Sequence, residues 1–363
     1  MKKVGIITII DNDNYGNRLQ NYAMQEFLKE NNVEAITIKN NKFFNHFGSF
    51  KKRFILLLRY INSKRIFIKN LCPNRLKCFK NFNKNINFSK KTYSVYSKNI
   101  KNDYDFFVVG SDQVWKPFYQ RLSDVDLLNF ANDNQKISIS ASFGISELPD
   151  EYKEKTKNAL NTFKAISVRE DTGKNIVEEL TGRKDVEVIV DPTMLVPVSK
   201  WKDVEKKPSC LKSDKFILNY FLGNLSESRK KAIEQFANDN ECEIINILDK
   251  DSEFYKTGPA EFLYLERNAF LICTDSFHSS DFAILNKVPF IVFEREDKKA
   301  NMNSRLDTLL RKFNLESQKY KEDKIEKYVD VKFEDSDKVL EVEKNKARMF
   351  LKNALNEERK DEN

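Results

Sequence analysis

Histidine, glycine and long apolar runs are scarce in this sequence, and each shortage excludes a class of protein. With two histidines and five scattered cysteines among 363 residues, a zinc site made of closely spaced cysteines and histidines is not expected. No apolar stretch approaches the ~20 residues that a helix needs to cross a bilayer. The nine glycines do not form the three-glycine fingerprint of a dinucleotide-binding loop.

The N-terminus resembles a targeting signal only in its first residues. Lys2 and Lys3 precede an apolar run over residues 4–10, but polar residues 11–14 follow it without a small-residue cleavage site. We therefore interpret this run as a buried first strand. Because the cysteines show no disulfide spacing, reduced thiols and a cytoplasmic location are expected.

Positive charge is concentrated in one part of the chain. Residues 35–102 contain no Asp or Glu and 17 Lys and Arg. Since the whole chain carries +8, the rest of it carries −9. Such a one-sided block predicts a surface that meets something anionic. Within it, residues 50–61 mix bulky apolar and basic side chains, as a helix lying on a membrane surface does.

Two interpretations of this basic block stay open, and a third is disfavoured. The first is peripheral contact with anionic lipid or glycolipid at the inner face of the membrane. The second is an ordinary solvated face in a chain rich in lysine and asparagine. Nucleic acid is not an expected partner, because no recognised binding motif accompanies the charge.

Short β-branched or aromatic runs alternate with longer amphipathic stretches, which is typical of βαβ units and a mainly parallel sheet. The fold class is therefore predicted to be α/β. The predicted strands cover residues 4–10, 33–38, 105–109, 137–142, 165–168, 186–190, 216–221, 243–247, 270–274 and 289–293. Between the first two strands, apolar residues at helical spacing predict a helix, and they are Leu19, Tyr22, Ala23, Phe27 and Leu28.

Chain length favours two domains, because single hydrophobic cores stop growing at roughly 250–300 residues. A polar stretch with three prolines, residues 192–208, indicates the connection between them. We predict an N-terminal domain over residues 1–195, with a basic insertion at about 40–102, and a C-terminal domain over 205–330. A charged helix over 335–357 is expected to pack back on the body.

The polar residues just after each strand are the candidate ligand contacts, since open α/β sheets bind ligands beyond the carboxyl ends of their strands. After the first strand come Asn14, Tyr15, Gly16 and Asn17, where the glycine permits a tight turn into the helix. This segment is either cleft lining or an asparagine-rich helix cap.

A second candidate segment follows the strand over residues 105–109. Gly110, Ser111, Asp112 and Gln113 precede Trp115 there. Small polar residues beside an aromatic ring suit a sugar-facing wall. The alternative is an Asx-type turn with the indole in the core.

Arg169 ends the strand over residues 165–168 and is the candidate anion-binding arginine. Its guanidinium offers a rigid fork for a carboxylate or phosphate. The commoner role of such a residue is a salt bridge, here to Glu170, Asp171 or Asp191, and both roles are compatible.

His278 follows the strand over residues 270–274 and is the sharpest candidate. We predict a helix that begins near Ser279 or Ser280, which sets the imidazole beside the positive end of the helix dipole, where anions bind. The alternative is a hydrogen-bonded structural histidine. The other histidine, His46, lies in the basic block.

Taken in order, these segments resemble the polysaccharide pyruvyl transferase family. The matching pieces are residues 14–17, 19–25, 110–115, 167–170, 191–193, 274–278 and 289–291. The resemblance implies two Rossmann-like domains facing across a cleft, similar to the B-type glycosyltransferase architecture. It also implies transfer of pyruvate from phosphoenolpyruvate onto two hydroxyls of one sugar, in a bacterial surface polysaccharide or its lipid-linked precursor. A cyclic ketal forms, phosphate leaves, and no metal or organic cofactor is required.

The resemblance also implies roles for particular residues. His278 and Arg169 correspond to the essential histidine and arginine of the family. A third basic residue is expected after the last strand, where Arg295, Lys298 and Arg305 compete and Arg295 is favoured. Ser279 and Ser280 are expected to contact the donor, although many relatives carry glycine at the first of these positions. The segments 14–17 and 110–113 are expected to line the acceptor side.

Two other functions stay open. A glycosyltransferase that uses a nucleotide sugar can share this architecture. A glycan- or lipid-binding scaffold that has lost catalysis can share it as well.

Overall fold

The structure, a computed structural model, describes residues 1–11, 13–40, 72–93, 99–117, 121–295 and 303–356. The predicted basic helix over residues 50–61, Lys298 and the tail after residue 356 lie outside these ranges. Within them, strands form two sheets in which every pairing is parallel. The predicted α/β class is confirmed.

The larger sheet belongs to the N-terminal half of the chain. Its strands are β1 Lys2–Ile7, β2 Val33–Asn40, β3 Phe88–Tyr93, β4 Phe106–Val109, β5 Lys136–Ala141, β6 Ala165–Val168 and β7 Glu187–Val188. They lie in the order β3-β2-β1-β4-β5-β6-β7. The chain progresses in opposite directions on the two sides of the β1/β4 pair, so the loops after these two strands diverge and leave a crevice.

The smaller sheet belongs to the C-terminal half. Its strands are β8 Phe216–Tyr220, β9 Glu243–Asn246, β10 Leu271–Thr274 and β11 Phe290–Val292. Their order is β11-β10-β8-β9, so the corresponding crevice lies between β8 and β10.

Helices alternate with these strands along the chain. They are α1 Tyr15–Glu30, α2 Pro73–Phe82, α3 Asp150–Leu160, α4 Asp171–Thr181, α5 Pro192–Leu195, α6 Val198–Val204, α7 Glu227–Asp239, α8 Pro259–Asn268, α9 Phe277–Asn286, α10 Asn303–Lys312 and α11 Ser336–Leu355. The apolar residues that predict α1 are all buried. Part of its polar side is buried too: Gln20 donates to Thr8 and Asn21 donates to Thr37, each at 2.7 Å.

The sequence pattern misses β3. This strand is at the sheet edge, where it pairs only with β2, and its Lys90 and Lys91 are exposed. An edge strand that buries little side-chain surface lacks the apolar alternation by which strands are recognised, and exposed lysines are usual there. At the opposite edge, β7 is shorter than predicted because only two of its residues pair with β6.

The two sheets share one hydrophobic cluster that runs between them. Tyr15 of α1 stacks on Phe262 of α8 with ring centroids 4.6 Å apart. Arg75 of α2 donates to the Tyr15 hydroxyl, and also to the carbonyl oxygens of Asp13 at 2.9 Å and Tyr255 at 3.2 Å. This guanidinium therefore bonds to backbone from both halves of the chain. The domain boundaries themselves stay a prediction.

Helix α11 brings the end of the described chain back to the larger sheet. Lys2 of β1 donates to the carbonyl oxygen of Leu355, and Lys346 pairs with Glu187 of β7 at 2.9 Å. No helix in the described part of the chain combines the length and the apolar character needed to cross a membrane.

Candidate active site

A cavity of about 310 Å³ lies where the two crevices meet. Ligand pockets start at about this volume. Its lining comes from both halves of the chain: Asp11, Asp13, Asn14, Asn17, Asp112, Gln113, Lys116, Arg121, Tyr220, Leu222, Ser276, Phe277, His278, Arg295 and Arg305. We call it the cleft cavity.

Sheet topology explains why these residues meet. Residues 11–17 follow β1 and residues 112–121 follow β4, the two strands that flank the first crevice. Residues 220–222 lie at the end of β8 and just after it, and residues 276–278 follow β10. These two strands flank the second crevice. Because the carboxyl ends of parallel strands meet at one edge of a sheet, groups from four distant segments face one space.

His278 is nearly enclosed in the first turn of α9, with 8% of its surface exposed. Its ring packs directly against Gly16, where an added Cβ would lie 2.3 Å from Nδ1. A glycine is therefore required at position 16 for the imidazole to occupy this place. Nε2 lies 3.7 Å from Oδ2 of Asp191, which is longer than a hydrogen bond. Within the described residues this nitrogen has no hydrogen-bond partner.

Asp191 is fully buried and is held by several donors. Arg169 Nη1 donates to its Oδ2 at 2.8 Å, and the Ser111 hydroxyl donates to the same oxygen. The amide and hydroxyl of Thr193 donate to Oδ1 at 3.1 and 3.0 Å. Burial alone would raise the pKa of Asp191, but His278, Arg169 and Ser111 together hold it well below its usual range. The side chain of Asp191 is therefore held in its carboxylate form beside the imidazole of His278.

Arg169 lies behind the cleft cavity and does not line it. Its side chain is 0% exposed, and Nη2 donates to Asp112 Oδ1 at 3.1 Å while Nη1 bonds to Asp191. Its guanidinium also lies 4.2 Å from the ring centroid of Phe277. Burial alone would lower the pKa of Arg169, but the surrounding carboxylates raise it. Of the two predicted roles, the described contacts are those of the salt bridge.

Four cationic side chains line the cleft cavity. They are Lys116, Arg121, Arg295 and Arg305. Burial, together with the neighbouring arginines, lowers the pKa of Lys116. Burial, reinforced by the nearby Arg169, lowers the pKa of Arg305 to about 10. At a pKa of about 10, Arg305 still carries its charge at neutral pH, and a bound anion would relieve the repulsion between these cations.

The two arginines of this set are held differently. Arg295 Nε pairs with Asp275 Oδ2 at 2.8 Å, and 13% of its side chain is exposed. The Arg305 guanidinium lies 5.9 Å from the ring centroid of Phe277. When the side-chain amide of Gln113 is oriented with its oxygen towards Arg305, the two Nη atoms donate to that oxygen at 3.2 and 3.1 Å. Its Nε has no partner within the described residues.

Several residues of the predicted site do line the cleft cavity: Asn14, Asn17, Asp112, Gln113 and Arg295. Asn14 is also the N-cap of α1, since its side chain accepts from the Asn17 amide at 3.1 Å. Cleft lining and helix capping, the two interpretations of this segment, are therefore both realised.

Other predicted contacts are turned away from the cleft cavity. Tyr15 is fully buried and bonds to Arg75 and Thr257, because its ring is needed between the two sheets. Gly110 packs on β5, where an added Cβ would lie 2.1 Å from the Ile139 carbonyl oxygen. The Ser111 hydroxyl is used by Asp191.

Trp115 belongs to the core and is no sugar-facing wall. It is 0% exposed, its Nε1 donates to the Asp126 carbonyl oxygen at 3.0 Å, and its ring packs against Phe143. The alternative interpretation, a turn with the indole in the core, is the correct one.

Ser279 and Ser280 are also buried away from the cleft cavity, because α9 begins earlier than predicted. Ser276 is its extended N-cap, and the Ser280 amide donates to the Ser276 carbonyl oxygen at 3.1 Å. The Ser279 hydroxyl donates to Glu266 Oε1 at 2.6 Å, and that of Ser280 to the Ser276 carbonyl oxygen at 3.0 Å. A shift of two residues turns both serines towards the protein interior.

Sequence reasoning misses several lining residues: Asp11, Asp13, Lys116, Arg121, Tyr220, Leu222, Ser276 and Phe277. All except Arg121 lie within about seven residues of the end of a strand, so position alone is an available signal for them. The side-chain types of Lys116 and Arg121 give no such signal, because lysines and arginines are too common in this chain to stand out. Among the described residues, no group of three or more His, Cys, Asp or Glu is arranged to hold a metal ion.

The fold and the cleft define a two-sheet α/β protein with a cation-lined cavity and a buried histidine. A family model for polysaccharide pyruvyl transferase matches residues 14–297. The chain therefore belongs to the polysaccharide pyruvyl transferase family, and it is a transferase with a glycan acceptor. No curated protein matches the sequence significantly.

A solved structure shows the same fold at low sequence identity. The chain is similar to a protein described as a UDP-N-acetylglucosamine 2-epimerase from Listeria monocytogenes, at TM-score 0.51 and 10% identity, over 96% of this chain and 90% of that one. It is also similar to the UDP-GlcNAc 2-epimerase of Neisseria meningitidis, at TM-score 0.49 and 10% identity, over 98% and 100% of the two chains. The likeness to the Listeria monocytogenes structure confirms the predicted B-type architecture and carries no information about substrate.

The ion pair of Asp112 and Arg169 predicts an acid-sensitive contribution to stability. Burial would raise the pKa of Asp112, but Arg169 and His278 outweigh it and hold the pKa at about 2. A carboxylate whose pKa is depressed on folding stabilises the fold above the unfolded pKa, near 4, and loses that contribution as the pH falls through the folded pKa. Asp112→Asn should therefore cost about 2 kcal/mol at pH 7 and almost nothing near pH 2.

Urea denaturation of the wild type and Asp112→Asn at a series of pH values measures this difference. Asp133→Asn, whose carboxylate is mostly exposed, is the control. A destabilisation that stays constant down to pH 2 would contradict the role assigned to Asp112.

The contact of Gly16 with His278 predicts an effect visible without any substrate. In Gly16→Ala the new methyl overlaps the imidazole, so the ring must move. Because the chain has only two histidines, their imidazole NMR signals are easily resolved, and only that of His278 should shift. Gly173→Ala, whose added Cβ makes a tight 3.3 Å contact with Val168 and has no histidine among its nearest neighbours, should leave both signals in place. Unchanged His278 signals in Gly16→Ala would show that this contact does not exist.

Proposed function

We propose that the cleft cavity binds phosphoenolpyruvate and that the protein transfers its pyruvyl group onto two hydroxyls of one sugar of a surface glycan or its lipid-linked precursor. The observation that carries the proposal is a buried histidine, backed by a carboxylate, that shares a cavity with four cations. Family membership supplies the reaction class.

The charges of the cavity suit a donor with two anionic groups. Arg295, Arg305 and Lys116 are assigned to its carboxylate and phosphate, because a guanidinium fork matches either group and a lysine ammonium binds phosphate as a point charge. Arg305, with an Nε that has no partner within the described residues, would gain an acceptor when the anion binds. Arg169 is assigned a positioning role: its hydrogen bond to Asp191 keeps the carboxylate charged behind His278.

His278 is assigned the proton transfers. Protonation of C3 of phosphoenolpyruvate makes C2 electrophilic, and a sugar hydroxyl attacks C2 while losing its proton. The C2–O bond to phosphate then breaks, and a second hydroxyl closes the ketal. Two hydroxyl protons are released in all; one balances the proton added at C3 and the other leaves with phosphate. A charged Asp191 stabilises the imidazolium that each proton uptake creates.

The acceptor is assigned to the side of the cleft cavity formed by Asn14, Asn17 and Gln113, whose amides can bond to hydroxyls. Lipid-linked precursors lie at the inner face of the membrane, so we propose that the protein works there from the cytoplasm. The acid-free residues 35–102 would supply positive charge towards anionic lipid.

The first test is phosphate release. Phosphate should appear when the protein, phosphoenolpyruvate and a candidate glycolipid are incubated together, and the product should gain the mass of a pyruvyl ketal. His278→Ala should slow release by about a hundredfold or more while the far-UV circular dichroism stays that of the wild type. Nucleotide release from a nucleotide sugar, without phosphate from phosphoenolpyruvate, would replace the proposal with a glycosyltransferase. Unchanged behaviour of His278→Ala would favour a non-catalytic scaffold.

The second test separates donor binding from chemistry. Arg295→Met should weaken phosphoenolpyruvate binding by about tenfold to a hundredfold, because a charged hydrogen-bond donor to the anion is lost. Arg295→Lys should recover part of that loss. Arg348→Met removes an exposed arginine from α11 and makes the same change in net charge, so it should bind the donor as the wild type does. Calorimetry at constant ionic strength measures all four proteins, and equal affinities for Arg295→Met and Arg348→Met would remove Arg295 from the donor site.

A further inference from the structure

A second cavity, of about 770 Å³, opens beside the cleft cavity in the C-terminal half. It lies at the carboxyl ends of β8 and β9 and against α7. We call it the β8/β9 cavity, and its lining is Asn219, Phe221, Gly223, Asn224, Leu225, Lys230, Ile233, Glu234, Ile244, Asn246, Leu248 and Asp249. None of these residues belongs to the lining of the cleft cavity.

One loop separates the two cavities. Leu222 lines the cleft cavity, whereas its neighbours Phe221 and Gly223 line the β8/β9 cavity. Asp275 fixes this loop by accepting from the amides of Leu222 and Gly223, each at 2.7 Å. The same carboxylate pairs with Arg295. The loop between the two cavities is therefore held in place.

Three side-chain amides, those of Asn219, Asn224 and Asn246, form half of the polar lining. Asn219 is 8% exposed, and its Nδ2 donates to Asn246 Oδ1 at 2.9 Å. Its own Oδ1 is buried and has no hydrogen-bond partner within the described residues. A buried amide oxygen left without a donor is costly, and a ligand hydroxyl would satisfy it. Asn224, on the separating loop, adds a third amide.

Apolar side chains form the rest of the wall, and they are Phe221, Leu225, Ile233, Ile244 and Leu248. Amides beside apolar surface suit the hydroxyls and C–H faces of a sugar ring.

The charges of the β8/β9 cavity argue against an anion. It holds one cation, Lys230, and two carboxylates, those of Glu234 and Asp249. The cleft cavity holds four cations and three carboxylates. A phosphorylated ligand would therefore be attracted to the cleft cavity and disfavoured in the β8/β9 cavity. An uncharged ligand fits the second cavity best.

We propose that the β8/β9 cavity binds uncharged sugar residues of the acceptor glycan, next to the sugar that reacts in the cleft cavity. The proposal rests on the proposed function for its acceptor, but it concerns a separate set of residues. Binding there positions the acceptor, and the amides of Asn219 and Asn246 are its polar contacts.

The test uses the full chain and ligand-detected NMR. The probes are the methyl glycosides of glucose, galactose, mannose, N-acetylglucosamine and N-acetylmannosamine at millimolar concentration, with phosphoenolpyruvate and UDP measured separately. At least one glycoside should bind, and Asn246→Ala and Asn219→Leu should each weaken it about tenfold. Asn246 is exposed, so its variant is expected to fold. Asn353→Ala, an exposed position on α11, is the matched control and should bind as the wild type does.

The outcomes separate this inference from the proposed function. If phosphoenolpyruvate binds and no glycoside does, the inference is overturned and the donor assignment stands. Should a glycoside bind in an Asn246-dependent way without any binding of phosphoenolpyruvate, the inference stands and the donor assignment fails. The inference is overturned if a glycoside binds and neither asparagine variant weakens that binding. It is also overturned if UDP binds, no glycoside does, and both variants weaken the binding of UDP.

Discussion

The buried carboxylate of Asp191 is the point on which the candidate active site depends. It accepts hydrogen bonds from Arg169, Ser111 and Thr193, and it lies 3.7 Å from Nε2 of His278. A buried carboxylate without such partners would cost several kcal/mol, so these groups are held in one arrangement. The arrangement joins the ends of β4 and β6 in the larger sheet to the start of α9 from the smaller one. The imidazole is thereby positioned by contacts that cross between the two halves of the chain.

Two crevices, one in each sheet, place the remaining groups. Because all pairings in both sheets are parallel, the loops after the strands gather at one edge of each sheet. The shared hydrophobic cluster and the bonds of Arg75 keep these two edges opposed. The two cavities differ in charge. Cations outnumber carboxylates around the cleft cavity, whereas amides and more carboxylates than cations surround the β8/β9 cavity. On the proposed function, an anionic donor and an uncharged glycan would each find the region that suits it.

Much of the fold follows from local pattern, while the site follows from it only in part. Each strand of the smaller sheet overlaps a predicted one, because a buried parallel strand reads as a short apolar run. The edge strand β3 is missed because it buries too little to show that run. His278 is predicted from its position after a strand, whereas Arg295 is predicted through the family resemblance. The positions of Ser279 and Ser280 are predicted wrongly because α9 already begins at Phe277, and the sequence around Ser276 carries no clear signal for that start.

The sequence by itself determined the α/β class, the parallel sheets, the family and the strand ends at which functional groups would lie. Only the tertiary structure decided which of those groups face the cavity. Arg169 is the clearest case: it satisfies the requirement for an arginine at a strand end, yet its guanidinium is bonded to Asp112 and Asp191, carboxylates far from it in sequence. A buried charge is oriented by whichever opposite charges the fold brings to it, and that choice is made by packing between distant segments.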